Sequence, residues 1–116
     1  METPAEYAKR RATLNDQVLS QADLPTKRFF ALDHDMYSEG ALPKKTKELM
    51  GLVASTVLRC NDCISYHMIE SVTHGASNQE ITEALGIALV VGGSVTIPHL
   101  RHAIAFLDTI ERPESE

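Results

Sequence analysis

The chain has 116 residues, 43% of them hydrophobic, with 11 Lys and Arg against 16 Asp and Glu for a formal net charge of -5. That length supports one domain around one apolar core, and excludes a catalytic domain joined to a separate binding domain. The acidic balance, unbroken by any basic patch, disfavours nucleic acid and anionic membranes and leaves small molecules or other proteins as partners.

In chain order, helical periods and helix breakers predict an all-α fold of about six helices, with strand signals weak throughout. "METPAEYAKRRATLN" is charged and lacks the apolar stretch of a secretory signal, so the protein is expected to be cytoplasmic. A first, polar helix is predicted from Glu6 to about Ser20. Pro25 opens a second through "TKRFFALDHDMYSE", where Phe29, Phe30, Leu32 and Met36 form an apolar stripe that Gly40 ends. Pro43 suits the first turn of a third helix, running to about Arg59, with Leu49, Leu52, Val53, Val57 and Leu58 facing the core. "CNDC" then interrupts the pattern, and a fourth helix follows from about Asp62 to His74, closed by Gly75. "SNQE", Ser77 to Glu80, is a capping box that starts a fifth helix reaching about Val91. Its segment "ALGIALVVGGS" is apolar nearly all round, which suits a central helix or one shared with another subunit, and subunit burial is the reading favoured. The apolar run from Ala84 to Gly93 is far short of a membrane span. After the "GGS" break, Pro98 permits a sixth helix through Ile110, with Leu100, Ile104 and Leu107 at helical spacing.

Both cysteines lie in "LRCNDCISYH", residues 58 to 67. Two thiols are too few for a secreted disulfide framework, and in a reducing compartment a C-x-x-C pair reads as redox or metal chemistry. On a helix, Cys60, Cys63 and His67 share one face within roughly a 60° arc. Helix N-terminal amides stabilise a thiolate, a histidine at i+4 exchanges its proton, and a thiol three residues away can close a disulfide. Asp62 opposes the first effect, because a carboxylate beside the pair raises a thiol's pKa. Local geometry makes Cys63 the thiol that His67 activates and Cys60 its exchange partner, while a more accessible Cys60 attacking first stays open. The pattern C-x2-C-x3-H-x6-H, ending at His74, superficially supplies four zinc ligands. Helix rise opposes that reading, since Cys60 and His74 stand about 21 Å apart along one axis and ligands of one zinc lie about 3 to 4 Å apart. A metal site would need His34, His99 or His102 to arrive from elsewhere. On that ground no metal site is expected. No nucleotide or flavin is implied either, because no phosphate-cradling glycine loop follows a strand.

From residues 42 to 108 the sequence resembles the carboxymuconolactone decarboxylase and AhpD-like alkylhydroperoxidase family. Its most specific part is E-x11-C-x2-C-x3-H, met by Glu48, Cys60, Cys63 and His67, followed by "HGASNQEITEAL" and the "GGS" break. The resemblance implies a single all-helical AhpD-like domain, residues 1–41 adding N-terminal helices to a family core at 42–110, assembled into homotrimers or homohexamers. It also implies a peroxidatic or disulfide-reducing thiol pair, with Glu48 orienting or deprotonating through His67, a hydroperoxide or disulfide as substrate, and an external dithiol or protein as reductant. Glu48 lies about 18 Å from Cys60 along a straight helix, so it reaches the thiols only if helices cross or a neighbouring subunit contributes. Its plain alternative is a solvated glutamate beside Lys44 or Lys45. The rival enzyme class is a decarboxylase-like lyase with His67 or His102 as general acid or base. That branch works without a C-x-x-C pair, so the pair favours redox chemistry.

The remaining candidates read more plainly. His99 and His102 suit a surface or an interface, and His34, between two aspartates, suits solvent. Tyr66 suits packing with a wet tip, and Met36, Met50 and Met68 suit core filling.

Overall fold

The computed structural model describes residues 1–112 as six α-helices with one short 3-10 turn. They are α1 (Pro4–Gln21), α2 (Leu24–Met36), α3 (Lys44–Val57), α4 (Asn61–Thr73), α5 (Asn78–Gly92), the turn Ser94–Thr96, and α6 (Ile97–Asp108). The all-α expectation holds. α5 starts where Ser77 accepts the Glu80 amide and the Glu80 side chain accepts the Ser77 amide, both at 3.0 Å. α1 begins two residues earlier than the polar pattern suggested, because Thr3 and Glu6 form a second capping box of the same kind.

Three boundaries differ for identifiable reasons. Pro43 is the residue before α3 and not part of its first turn, since its ψ of 153° is extended. α2 stops at Met36, short of Gly40, because Lys47 donates to the carbonyls of Met36 (2.9 Å) and Ser38 (2.7 Å) while Lys44 donates to that of Tyr37 (3.3 Å). Ammonium groups from α3 thus take up carbonyl oxygens that continued helix would have bonded. α3 ends at Val57 because Arg59 turns left-handed at φ 61°, with the Arg59 amide bonding Thr56 O and the Cys60 amide bonding Ser55 O, both at 3.0 Å. Those two bonds form a Schellman motif with arginine where glycine is usual. Glycine does serve at the end of α4, where Gly75 has φ 95°.

The core is where α3, α4, α5 and α6 meet. Leu52, Ile64, Met68, Ile81, Leu85, Ala103, Phe106 and Leu107 are buried there, and Tyr7 of α1 joins them edge-on to Phe106 at 5.9 Å. Leu49, Val53 and Val57 are half-buried, but Leu58 lies on the surface, because it falls beyond the last turn of α3 at the cap. Ile104 is also exposed, and of the three methionines proposed as core fillers only Met68 is one. Met36 and Met50 are exposed, Met36 on an α2 in which every residue keeps accessible surface. The apolar stripe of α2 therefore faces outward, with Phe29 68% and Leu32 56% exposed. On α5, Ile87, Val90 and Val91 also face outward.

Candidate active site

α4 opens on the cysteine pair. Cys60 is not on the helix face that the spacing suggested; it is the capping residue, with extended backbone (φ -102°, ψ 97°). From there its sulfur accepts the Cys63 amide at 3.3 Å, the place a serine or aspartate oxygen ordinarily takes. The two cysteines are joined as a disulfide, their Cα atoms 5.3 Å apart. Cys60 is half-buried and Cys63 exposed, so one sulfur meets the helix amides while the other meets solvent.

The loop that carries them is held from two sides, which the sequence did not reveal. Tyr7 of α1 donates to the Asp62 carbonyl oxygen at 2.8 Å, and its hydroxyl lies 3.4 Å from the Asp62 carboxylate. Arg10 of α1 pairs with the same carboxylate at 3.0 Å, which places a compensating positive charge on the group that would otherwise disfavour a thiolate. Burial, with the Asp62 charge added to it, pushes the Tyr7 phenol up to about 12, so it stays a donor. From α6, the ring Nδ1 of His99 meets the Asn61 amide oxygen at 2.7 Å, and His102 Nε2 meets the Ser65 hydroxyl at 2.9 Å.

One turn past Cys63, His67 points its ring at α3. Its Nδ1 lies 2.9 Å from Oε1 of Glu48, and Glu48 is fully buried. The solvated-glutamate alternative is thereby overturned: the turn at Arg59 folds α4 back against α3, bringing together two residues nineteen apart in sequence. Lys44 Nζ stands 3.7 Å from Oε2 of Glu48, and that oxygen has no hydrogen-bond partner among the described residues. A buried carboxylate with one oxygen unbonded is costly, and such groups concentrate at functional sites. His67 is also flanked by two tyrosines, Tyr66 edge-on at 5.0 Å and Tyr37, the residue after α2, at 5.1 Å. The Arg11 guanidinium lies 3.9 Å from the Tyr66 ring centroid, so Tyr66 is packed as expected. His74 is far from this cluster and pairs with Glu70 at 3.4 Å, while His34 is exposed.

The family model described as the carboxymuconolactone decarboxylase family matches residues 25–108. The chain belongs to the carboxymuconolactone decarboxylase family. The match takes in α2, which the sequence resemblance, read from residue 42, left out. Two crystal structures from Thermotoga maritima superpose with TM-scores of 0.87 and 0.85 at 62% and 61% identity, each covering 88% of this chain and 90% and 86% of the other. One of them is described as a member of this family, with involvement in an antioxidative response suggested for it. A family member from Legionella pneumophila, in its apo form, superposes with a TM-score of 0.81 at 26% identity, covering 90% of this chain and 94% of that one. An uncharacterised protein of the cox locus of Paracoccus denitrificans is 34% identical over 83 residues, 72% of this chain and 75% of that protein. Within the family fold, then, this chain carries a disulfide at the start of α4 and a buried carboxylate on the neighbouring imidazole.

Proposed function

We propose that this protein is a thiol-dependent oxidoreductase of the alkylhydroperoxidase or disulfide-reductase type, with Cys60 and Cys63 as the redox pair and His67 with Glu48 as the proton relay. The observation that carries this reading is the C-x-x-C disulfide at the first turn of α4, one turn ahead of an imidazole held by a buried carboxylate. Cys63, the more exposed sulfur and the one nearer His67 along the helix, is the attacking thiol in this reading, and Cys60 resolves.

With a hydroperoxide, the Cys63 thiolate bonds to the terminal peroxide oxygen, the O–O bond breaks, and the alcohol leaves with a proton from His67. Cys60 then gives up its proton and displaces the sulfenic oxygen as water, re-forming the disulfide. With a disulfide substrate, Cys63 forms a mixed disulfide that Cys60 cleaves, releasing the reduced substrate. After either route an external dithiol or protein reductant restores the pair, and the cycle draws on no bound cofactor. Acceptance of the Nδ1 proton by Glu48 keeps Nε2 as the exchanging nitrogen, the arrangement by which a carboxylate orients a catalytic imidazole. The antioxidative role suggested for the Thermotoga maritima relative supports this reading.

We extend the reading to a homotrimer or homohexamer in the cytoplasm. The outward Ile87, Val90 and Val91 support assembly, together with an apolar cleft of about 730 Å³ between α3 and α5. The test of function is Cys63→Ser, assayed with organic hydroperoxides and small disulfides under a dithiol reductant. At least a thousandfold loss with retained helicity is expected; a folded variant with unchanged hydroperoxide and disulfide turnover would refute Cys63 as the attacking thiol, and one with unchanged activity toward the protein's true substrate would point to the lyase class.

A further inference from the structure

The hydroxyl of Tyr37 lies 3.4 Å from Nε2 of His67, the two rings being 5.1 Å apart and tilted by 35°. No sequence motif singles this tyrosine out; it is the residue that ends α2. A carboxylate can only accept, so the 2.9 Å contact from Glu48 places the proton of a neutral His67 on Nδ1 and leaves a lone pair on Nε2. The only group the structure gives Nε2 among the described residues is the Tyr37 phenol, and a phenol meeting a lone pair donates.

A second observation shows that the fold makes room for this pair. A Cβ on Gly51 of α3 would stand 2.7 Å from Cε1 and 2.8 Å from Nδ1 of His67, and 2.8 Å from the Tyr37 hydroxyl. Glycine inside a helix costs about 1 kcal/mol relative to alanine, so its presence here fits the need for imidazole and phenol to lie against the α3 backbone. Gly51 and Tyr37 also line a cleft of about 530 Å³, with Asp33, Met36, Lys47 and Met50, so the phenol stands between that cleft and the imidazole.

We propose that Tyr37 is a positioning residue for His67: its hydroxyl donates to Nε2 while Glu48 accepts from Nδ1, and the two together fix the ring's tautomer and direction. The inference rests on His67 being the proton carrier of the reading above. In the disulfide state Tyr37 holds that nitrogen. Burial and the charges of Glu48 and Asp33 hold the Tyr37 phenol above its ordinary value, consistent with a protonated donor.

The charged and titratable groups around His67 are Glu48 and Lys44 from α3, Tyr66 and Glu70 from α4, Asp33 and Tyr37 from the α2 side, and Arg11 of α1 over Tyr66. Tyr37→Phe leaves all but one of these in place. A donor on the Nε2 lone pair draws on that nitrogen's electrons, so its removal moves the Nε2 resonance toward that of an unbonded, unprotonated ring nitrogen. The test is long-range proton–nitrogen NMR of the imidazole in the intact oxidised protein at one alkaline pH, compared among wild type, Tyr37→Phe and Gly51→Ala, with His67→Gln as the assignment control. Expected are a wild-type Nδ1–H tautomer and a shift of the Nε2 resonance in Tyr37→Phe. Gly51→Ala should shift it the same way, because it forces the rings apart. A wild-type Nε2–H tautomer overturns the proposal whether or not the variants fold, and so does a folded Tyr37→Phe with an unmoved Nε2 resonance. The spectra need no substrate. A protein that shows the shift yet turns over no hydroperoxide or disulfide refutes the catalytic reading alone, and one that is active without the shift refutes the role of Tyr37 alone.

Discussion

Arg59 sits at φ 61°, a conformation that costs an L-residue roughly 1–2 kcal/mol, and it does so one residue before the cysteine whose sulfur caps α4. The exposed side chain has no hydrogen bond or ion pair among the described residues, so the strain belongs to the backbone turn and not to a contact. Arg59→Gly should therefore stabilise the fold by about 0.5 to 1 kcal/mol after allowing for the added freedom of the unfolded chain, read from urea denaturation midpoints. A loss of stability would show that the arginine itself holds the turn. This turn also explains why part of the site was hidden in the sequence. Cys63 and His67 are one helical turn apart, and their proximity could be read from spacing alone. Glu48 could be named only through the family pattern, because its approach to His67 depends on the reversal at Arg59. Tyr37 carried no signal, since both the end of α2 and the gap left by Gly51 are products of tertiary packing.

At the level of elements, the sequence marked every helix, because capping boxes, prolines and glycines act locally. What it did not mark is how α1 is used. A polar helix with one buried residue, α1 sends Tyr7 and Arg10 onto Asp62 and so fixes the first turn of α4. Tyr7→Phe should cost about 1 kcal/mol by removing the phenol's hydrogen bond to the Asp62 carbonyl oxygen. The pH dependence has a definite sign. With folded-state values of about 12 for Tyr7 and Tyr66, above the ordinary value of 10.0, the native state keeps protons that the unfolded state releases. That stabilising contribution is fully present below pH 10 and is lost as pH rises to about 12. Denaturation midpoints should fall across that window and fall less steeply in Tyr7→Phe; a wild-type midpoint flat across it would contradict the burial of these phenols.

For the whole molecule, apolar surface is the feature that one copy leaves unexplained. Val90 is 83% exposed, Val91 67% and Ile87 58%, and of these Ile87 and Val91 line the cleft between α3 and α5. The all-round apolar pattern of α5 was legible as either a central helix or a shared one, and the fold buries only its Ile81, Leu85 and Ala88 side. The apolar stripe of α2 was equally plain in the sequence, but its outward direction was not, because helical spacing gives a face and not what the face meets. Sedimentation at micromolar concentration should show an oligomer that Ile87→Glu weakens; a wild-type monomer would contradict the assembly.

Thiol chemistry in this protein depends on a sulfur anion being held ready at the start of α4. The most direct test is the pH dependence of alkylation at each cysteine of the reduced, native protein, followed by mass spectrometry. One thiol should titrate well below the unperturbed value of about 8.5 and return toward it in His67→Ala. Two thiols that both react only at or above that value would contradict the account.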